Sequence, residues 1–79
     1  MPLTPKQQER LVSLGAHIKA IREEKGLTLK ELAYRIDKDP QSINRLELGG
    51  VNPSLLYLEQ ICEGLEIDLK QLLSRPDAT

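Results

Sequence analysis

Three side chains with base-pairing hydrogen-bond geometry stand within five positions of one another: Gln41, Asn44 and Arg45. At about 100° per residue, a helix would place them on one face and turn Ile43 and Leu46 to the opposite face. Amide and guanidinium groups can pair bidentately with adenine and guanine edges in the DNA major groove. The same residue types are also common at solvated surfaces. The pattern therefore indicates a helix with one buried face and one hydrogen-bonding face.

The elements that would hold this face are two short helices with recognisable starts. Asp39 can cap the second helix, because the following Pro40 needs no amide partner at a first helical position. Thr28 can cap the preceding helix, with Glu31 at the capping-box spacing. Two capped helices joined by a tight turn over residues 28–48 have the layout of a helix-turn-helix, whose second helix fits the major groove.

Three further helices are predicted outside this motif. Thr4 and Pro5 begin a long one that ends near Gly26, Ser54 begins one that runs to about Glu63, and Asp68 begins a short last one. No strand-like alternation is present, so we expect an all-α, compact five-helix bundle. The apolar stripes expected to form its core are Leu11, Leu14, Ile18 and Ile21 in the first helix and Leu55, Leu58, Ile61, Cys62 and Leu65 in the fourth.

Leu56 and Tyr57 lie off the stripe assigned to the fourth helix. Together with the last helix they could form a surface for a second subunit. Gly15 lies on the stripe of the first helix, where glycine costs about 1 kcal/mol relative to alanine, so we expect another backbone to approach closely there.

Two opposite charges also fall on core-facing positions. Arg22 lies on the apolar stripe of the first helix. Glu47 lies on the side of Ile43 and Leu46 in the second helix of the motif, which is called the reading helix below. A charge on an inward face needs a partner, so we predict an Arg22–Glu47 ion pair. The alternative is that both long side chains reach solvent at the edge of the core.

Length and composition limit the class of protein. A chain of 79 residues is expected to form one domain over residues 1–79, with its core at about 5–74. A single cysteine makes no internal disulfide, and neither a membrane span nor a signal segment is found, so a cytoplasmic location is expected. His17 is expected at the solvated side of the first helix and Cys62 in the core, where they form neither a catalytic pair nor a metal site. We therefore expect no enzyme activity, cofactor, metal or small-molecule ligand.

The charge distribution argues against strong DNA binding. The formal net charge is −1 and the pI is about 5.8, whereas DNA-binding domains are usually basic. The imbalance is local, however, because residues 1–27 sum to +2, residues 28–50 to zero and residues 51–79 to −3. The excess acid lies away from the reading helix.

Taken together, the segments LGAHIKAIREEKGLT, LKELAYRI, QSINRLELG, NPSLLYLEQICEGL and IDLKQLL, over residues 14–74, resemble the lambda-repressor/Cro-like helix-turn-helix domains, often called the XRE family. The resemblance implies a five-helix domain that reads double-stranded DNA, usually as a homodimer, and it agrees with the Arg22–Glu47 pair. Small members include phage regulators, restriction-modification controllers and antitoxins.

Carried over position by position, the resemblance implies contacts to bases and to the DNA backbone. The candidate base contacts are Gln41, Arg45, Asn44 and Ser42, and the candidate phosphate contacts at the motif are Thr28, Leu29 through its backbone amide, and Asn52. Leu29 replaces the glutamine that family members often have, which weakens phosphate binding. Lys30, Tyr34 and Lys38 are further candidate phosphate contacts that could compensate, with Arg35 as another basic neighbour, because they are polar or basic and near the motif. The turn glycine of the family is replaced by Asp37, which accepts left-handed geometry better than most residues.

Two functions follow from these observations. The first is a sequence-specific transcriptional regulator that binds duplex DNA as a homodimer. The alternative is a protein–protein interaction module of the same fold with weak or no DNA binding. It is favoured by the acidic pI and by Pro40, which has no side-chain hydrogen bond to offer at a position where family members read bases. It is also favoured by Gly50 and Val51, where the family often has basic residues.

Overall fold

The computed structural model describes residues 2–74 of the chain, and within them it contains five α-helices and no strand. The helices are α1 (Pro5–Glu24), α2 (Leu29–Arg35), α3 (Pro40–Glu47), α4 (Leu55–Leu65) and α5 (Leu69–Leu73). The predicted all-α, five-helix architecture is confirmed. None of these helices is both long and apolar enough to cross a bilayer.

Each helix begins at a side chain that accepts a hydrogen bond from a first-turn amide, and all five N-caps were predicted. The caps are Thr4, Thr28, Asp39, Ser54 and Asp68. In α1, α2 and α5 the third helical residue also bonds back to the cap amide, completing a capping box. Such caps satisfy amides that a helix leaves unpaired, and each contributes about 1 kcal/mol.

Two non-glycine residues turn the chain in the left-handed region. Asp37, between α2 and α3, has φ 56°, and Glu66, after α4, has φ 59°. Aspartate tolerates this conformation better than most residues, which confirms its expected role in the motif's turn. Helix α4 continues two residues beyond the predicted Glu63 and stops when Glu66 adopts this conformation.

All five helices contribute buried side chains to the core. Its fully buried large side chains are Ile18, Leu32, Ile43, Leu46, Ile61, Leu65 and Leu72. Leu27, in the loop before α2, is also buried and was not predicted.

The predicted stripe of α4 was wrong at its first turn. Leu55 is 59% exposed, whereas Tyr57 is half-buried and packs against the core. At about 100° per residue, Leu55 lies about 120° from the buried Ile61, and Tyr57 only about 40° from it. Gly64 lies on the same inward face, where a Cβ would come within 2.7 Å of the side chains of Leu32 and Ile36.

His17 also differs from expectation. It is only partly exposed, and its Nε2 lies 3.2 Å from the backbone oxygen of Gln71, so it links α1 to α5. The contact joins residues 54 positions apart, which helical periodicity within α1 does not predict.

Helices α1 and α3 cross at Gly15. A Cβ at this position would lie 2.4 Å from the backbone oxygen of Glu47 and 2.5 Å from that of Leu46. The predicted close approach of a second backbone is therefore confirmed, and its partner is the last turn of the reading helix.

The expected ion pair between Arg22 and Glu47 is present at the same crossing. Nε of Arg22 donates to one carboxylate oxygen at 2.7 Å and Nη2 donates to the other at 3.1 Å. Nη1 donates to the backbone oxygen of Leu27 at 2.6 Å. Both charged residues are buried, and the hydrogen bond to Glu47 raises the pKa of Arg22 above its ordinary value. Three elements are thus joined by one guanidinium group.

We predict that Gly15→Ala lowers the free energy of unfolding by about 2 kcal/mol or more, because the new methyl group overlaps backbone atoms that cannot rotate away. Urea unfolding followed by circular dichroism measures this. Gly50→Ala is the matched control, because the nearest atom to its Cβ lies 3.4 Å away, and it should change stability by less than about 0.5 kcal/mol. Equal effects at the two positions would contradict the close crossing.

We predict that Glu47→Gln destabilises the fold by about 3–5 kcal/mol, because the buried Arg22 guanidinium loses its counter-charge. The double variant R22M/E47M should recover part of this loss, since two apolar side chains need no partner, while the backbone oxygen of Leu27 still loses its bond from Arg22. Urea unfolding of the three proteins tests both statements. A loss below about 1 kcal/mol in E47Q would be the value of a solvated surface pair instead.

Candidate nucleic-acid-binding face

Helix α3 divides its side chains between the core and solvent as the sequence pattern predicted. Ile43 and Leu46 are buried at 0% and 1% exposure, whereas Gln41, Asn44 and Arg45 are exposed. The buried side is also the one that carries Glu47 and the ion pair. The three polar side chains therefore project from a helix whose rotation about its own axis is fixed by the contacts of its buried side.

Asp39 and Ser42 form a closed unit at the start of α3. One carboxylate oxygen of Asp39 accepts from the backbone amide of Ser42 at 2.8 Å, and the other accepts from its hydroxyl at 2.9 Å. These two hydrogen bonds lower the pKa of Asp39. The bond from the backbone amide of Ser42 has the larger effect, and the bond from its hydroxyl the second largest. Since the hydroxyl hydrogen of Ser42 points to this carboxylate, its oxygen is left as an acceptor.

The start of α2 presents a second exposed edge. Thr28 and Glu31 use each other's backbone amides in the capping box, so the first-turn amides left over belong to Leu29 and Lys30. Leu29 is half-buried against the core. Lys30 is exposed, and Tyr34, one helical turn further on, is 89% exposed.

Two basic residues near the turn take different positions. Lys38 is exposed, with its Nζ 5.2 Å from the ring centroid of Tyr57 in α4, a cation–π distance. Arg35, a basic neighbour of the motif, donates from Nη1 to the backbone oxygen of Gly64 at 2.8 Å. This bond fastens α2 to α4 across 29 positions of sequence.

The turn that follows α3 is held by a residue outside the motif. The Nε2 of Gln8 in α1 donates to the backbone oxygen of Gly49 at 2.8 Å, a contact that sequence reasoning missed. The chain then continues through Val51, which is half-buried, and Asn52, which is exposed. Asn52 thus stands in the loop that follows the reading helix, and its contact to phosphate stays a prediction.

Three carboxylates belong to α4 and the turn after it, and two of them, Glu59 and Glu63, line a cleft together with Lys38. Glu59 and Glu63 belong to the outer side of α4 and Glu66 to the turn after it; all three are exposed. Lys38 and Glu59 line one shallow cleft with Tyr57, whereas Lys38 and Arg45 line another with Tyr57. The cation-lined cleft is on the α3 side.

We predict that the stability difference between the wild-type protein and Asp39→Asn narrows as the pH falls. The folded pKa of Asp39 lies below its ordinary value of 3.8, so its ionised form stabilises the fold above that value, and the contribution is lost as the pH falls through the folded pKa. Urea midpoints of both proteins between pH 7 and pH 2 test this. A constant difference over that range would mean that the charge of the cap has no role.

A family model described as helix-turn-helix matches residues 18–72. Among curated proteins, the chain is 33% identical over 67 residues to the HTH-type transcriptional regulator SinR of Bacillus licheniformis, covering 84% of this chain and 60% of that one. The chain spans 38 to 60% of the length of three of the curated relatives it matches.

Solved structures of the same shape include the restriction-modification controller protein C.AhdI from Aeromonas hydrophila, with a TM-score of 0.80 and 28% identity over 82% of this chain and 98% of that one. The tetramer of the controller protein C.Esp1396I in complex with its natural 35 base-pair operator has a TM-score of 0.70 and 33% identity, covering 81% of this chain and 95% of that one. The proteins named are regulators and not enzymes. Since the family model spans most of the chain and includes both helices of the motif, this protein belongs to the lambda-repressor/Cro-like, or XRE-type, helix-turn-helix family.

Proposed function

We propose that this protein is a transcriptional regulator that binds duplex DNA sequence-specifically as a homodimer. The observation that carries the proposal is the division of α3 into a fixed inner side and an exposed outer edge of Gln41, Asn44 and Arg45. Base reading requires such a rigidly held edge, because a misplaced side chain cannot make two hydrogen bonds to one base.

The three side chains have distinct expected roles. Arg45 is assigned to the O6 and N7 atoms of guanine, and Gln41 and Asn44 are assigned to adenine. Ser42 contributes an acceptor oxygen, since its hydroxyl hydrogen is bonded to Asp39. Leu48 is 65% exposed at the end of this face and suits a thymine methyl group.

Contacts to the DNA backbone are proposed on both sides of α3. Thr28, Leu29, Lys30 and Tyr34 stand at or near the exposed edge of α2, Lys38 stands in the turn, and Asn52 follows α3. Few of these are cationic, and the formal net charge is −1. Affinity for unrelated sequences should therefore be weak and should depend on salt.

A homodimer would place two reading helices about 34 Å apart, one turn of DNA, on a site of two half-sites. The structure offers exposed apolar side chains for a subunit contact: Leu55 and Leu56 in α4 are 59% and 71% exposed, and Leu73 in α5 is 52% exposed. The operator-bound tetramer of C.Esp1396I supports assembly on DNA in a related protein. To bind DNA, the protein must be in the compartment that holds the DNA. The cytoplasmic location stays a prediction.

Selection from random duplexes, followed by titration of the preferred and a scrambled duplex at two salt concentrations, tests the function. We predict that Arg45→Ala weakens binding to the preferred duplex by about 1–3 kcal/mol and relaxes selection at one position in each half-site. Lys30→Ala is the contrasting variant, because losing a phosphate contact should weaken binding to both duplexes alike.

Equal weakening of both duplexes by R45A would contradict its assignment to a base. If the wild-type protein selects no sequence and binds no duplex at low salt, the regulator proposal fails. That result would favour the protein–protein interaction module.

A further inference from the structure

The hydroxyl group of Tyr57 lacks a hydrogen-bond partner in the described part of the chain, although its oxygen is buried. The ring packs against the core from the inward face of α4. Buried polar groups in folded proteins are nearly always paired, so an unpaired hydroxyl requires an explanation, and an absent ligand is one.

Tyr57 borders a cleft beside the reading helix. Tyr57 lines this cleft of about 260 Å³ together with Lys38, Ser42, Arg45 and Val51. Lys38 crosses the ring with its Nζ 5.2 Å from the centroid. Lys38 and Arg45 are both exposed, so their flexible side chains can change conformation without disturbing the core.

The charges around the cleft favour an anionic oxygen. Two of the five lining residues are cations and none is a carboxylate; the carboxylates of Glu59 and Glu63 line the adjoining cleft, which shares Lys38 and Tyr57. Asp39 is close enough to raise the pKa of Tyr57, after burial as the main cause, while Arg45 lowers it. Both oxygens of Asp39 are already bonded to Ser42, and a Tyr57 with a raised pKa remains a protonated donor at neutral pH.

We propose that this cleft binds a phosphate group of the DNA backbone, with the Tyr57 hydroxyl donating to a phosphate oxygen and Lys38 supplying the positive charge. The inference rests on the proposed function and adds a contact from α4, outside the helix-turn-helix. It also accounts for the buried hydroxyl, because an oxygen of the bound phosphate would accept its hydrogen bond.

Tyr57→Phe removes the donor and keeps the ring. Because a hydrogen bond to a charged group is lost, affinity for the preferred duplex should fall by about tenfold or more. The slope of log affinity against log salt should stay unchanged, since no cation is removed. Lys38→Ala should reduce that slope by about 1. Lys70→Ala on α5 is the matched control for the loss of one positive charge and should bind as the wild type does.

A purely structural role for Tyr57 makes the opposite prediction. The hydroxyl has no partner to lose within residues 2–74, so Y57F should unfold at the same or a higher urea concentration than the wild type. A weaker DNA complex from a protein of unchanged stability therefore supports the phosphate contact, whereas affinity within twofold of the wild type overturns it.

Free phosphate could satisfy the same chemistry. Titration with inorganic phosphate at constant ionic strength, followed by NMR of the Tyr57 ring protons, separates the two sources. Shifts should need far higher phosphate than duplex concentrations, and equal affinities would overturn the DNA assignment. If the wild type binds no duplex, both this inference and the proposed function fail; if it binds duplex and Y57F binds equally well, only this inference fails.

Discussion

The structure depends on the buried ion pair between Arg22 and Glu47. Its guanidinium makes two bonds to the carboxylate and one to the backbone of Leu27, so α1, the loop before α2 and the end of α3 share one set of hydrogen bonds. Neither charge can leave its partner without remaining unpaired in an apolar interior, and that cost fixes their relative positions. Gly15 brings the two helix backbones close enough for the pair to form.

This constraint explains how a small helix can present a precise polar edge. Helix α3 has only eight residues, too few to be stable alone in water, and its conformation therefore depends on packing. Asp39 fixes its first turn, the bond from Gln8 fixes the turn after it, and Glu47 fixes its rotation. The exposed side chains need no contacts of their own to be held in register. They are therefore free to bind a partner.

Contacts between residues close in sequence were easier to predict than contacts between residues far apart in sequence. The caps at Thr28 and Asp39 depend on atoms three residues apart, and residue types at fixed spacing reveal them. The ion pair is a long-range contact that could still be predicted, because each charge occupied an apolar stripe. The bond from Arg35 to Gly64 gave no such signal, since an arginine on a polar face has the pattern of a solvated residue. The inward turn of Tyr57 was missed because an apolar neighbour, Leu55, was assigned to the stripe.

The sequence by itself determined the five helices, their starts, the inner and outer sides of α3 and the family, because these follow from local spacing and from the order of motifs. Only the tertiary structure decided which residues meet across helices. It placed Tyr57 beneath Lys38 and joined α2 to α4 through Arg35. The physical reason is that helical periodicity fixes the direction of a side chain within its own helix. The neighbour that it meets depends on how all five helices pack to bury one small core.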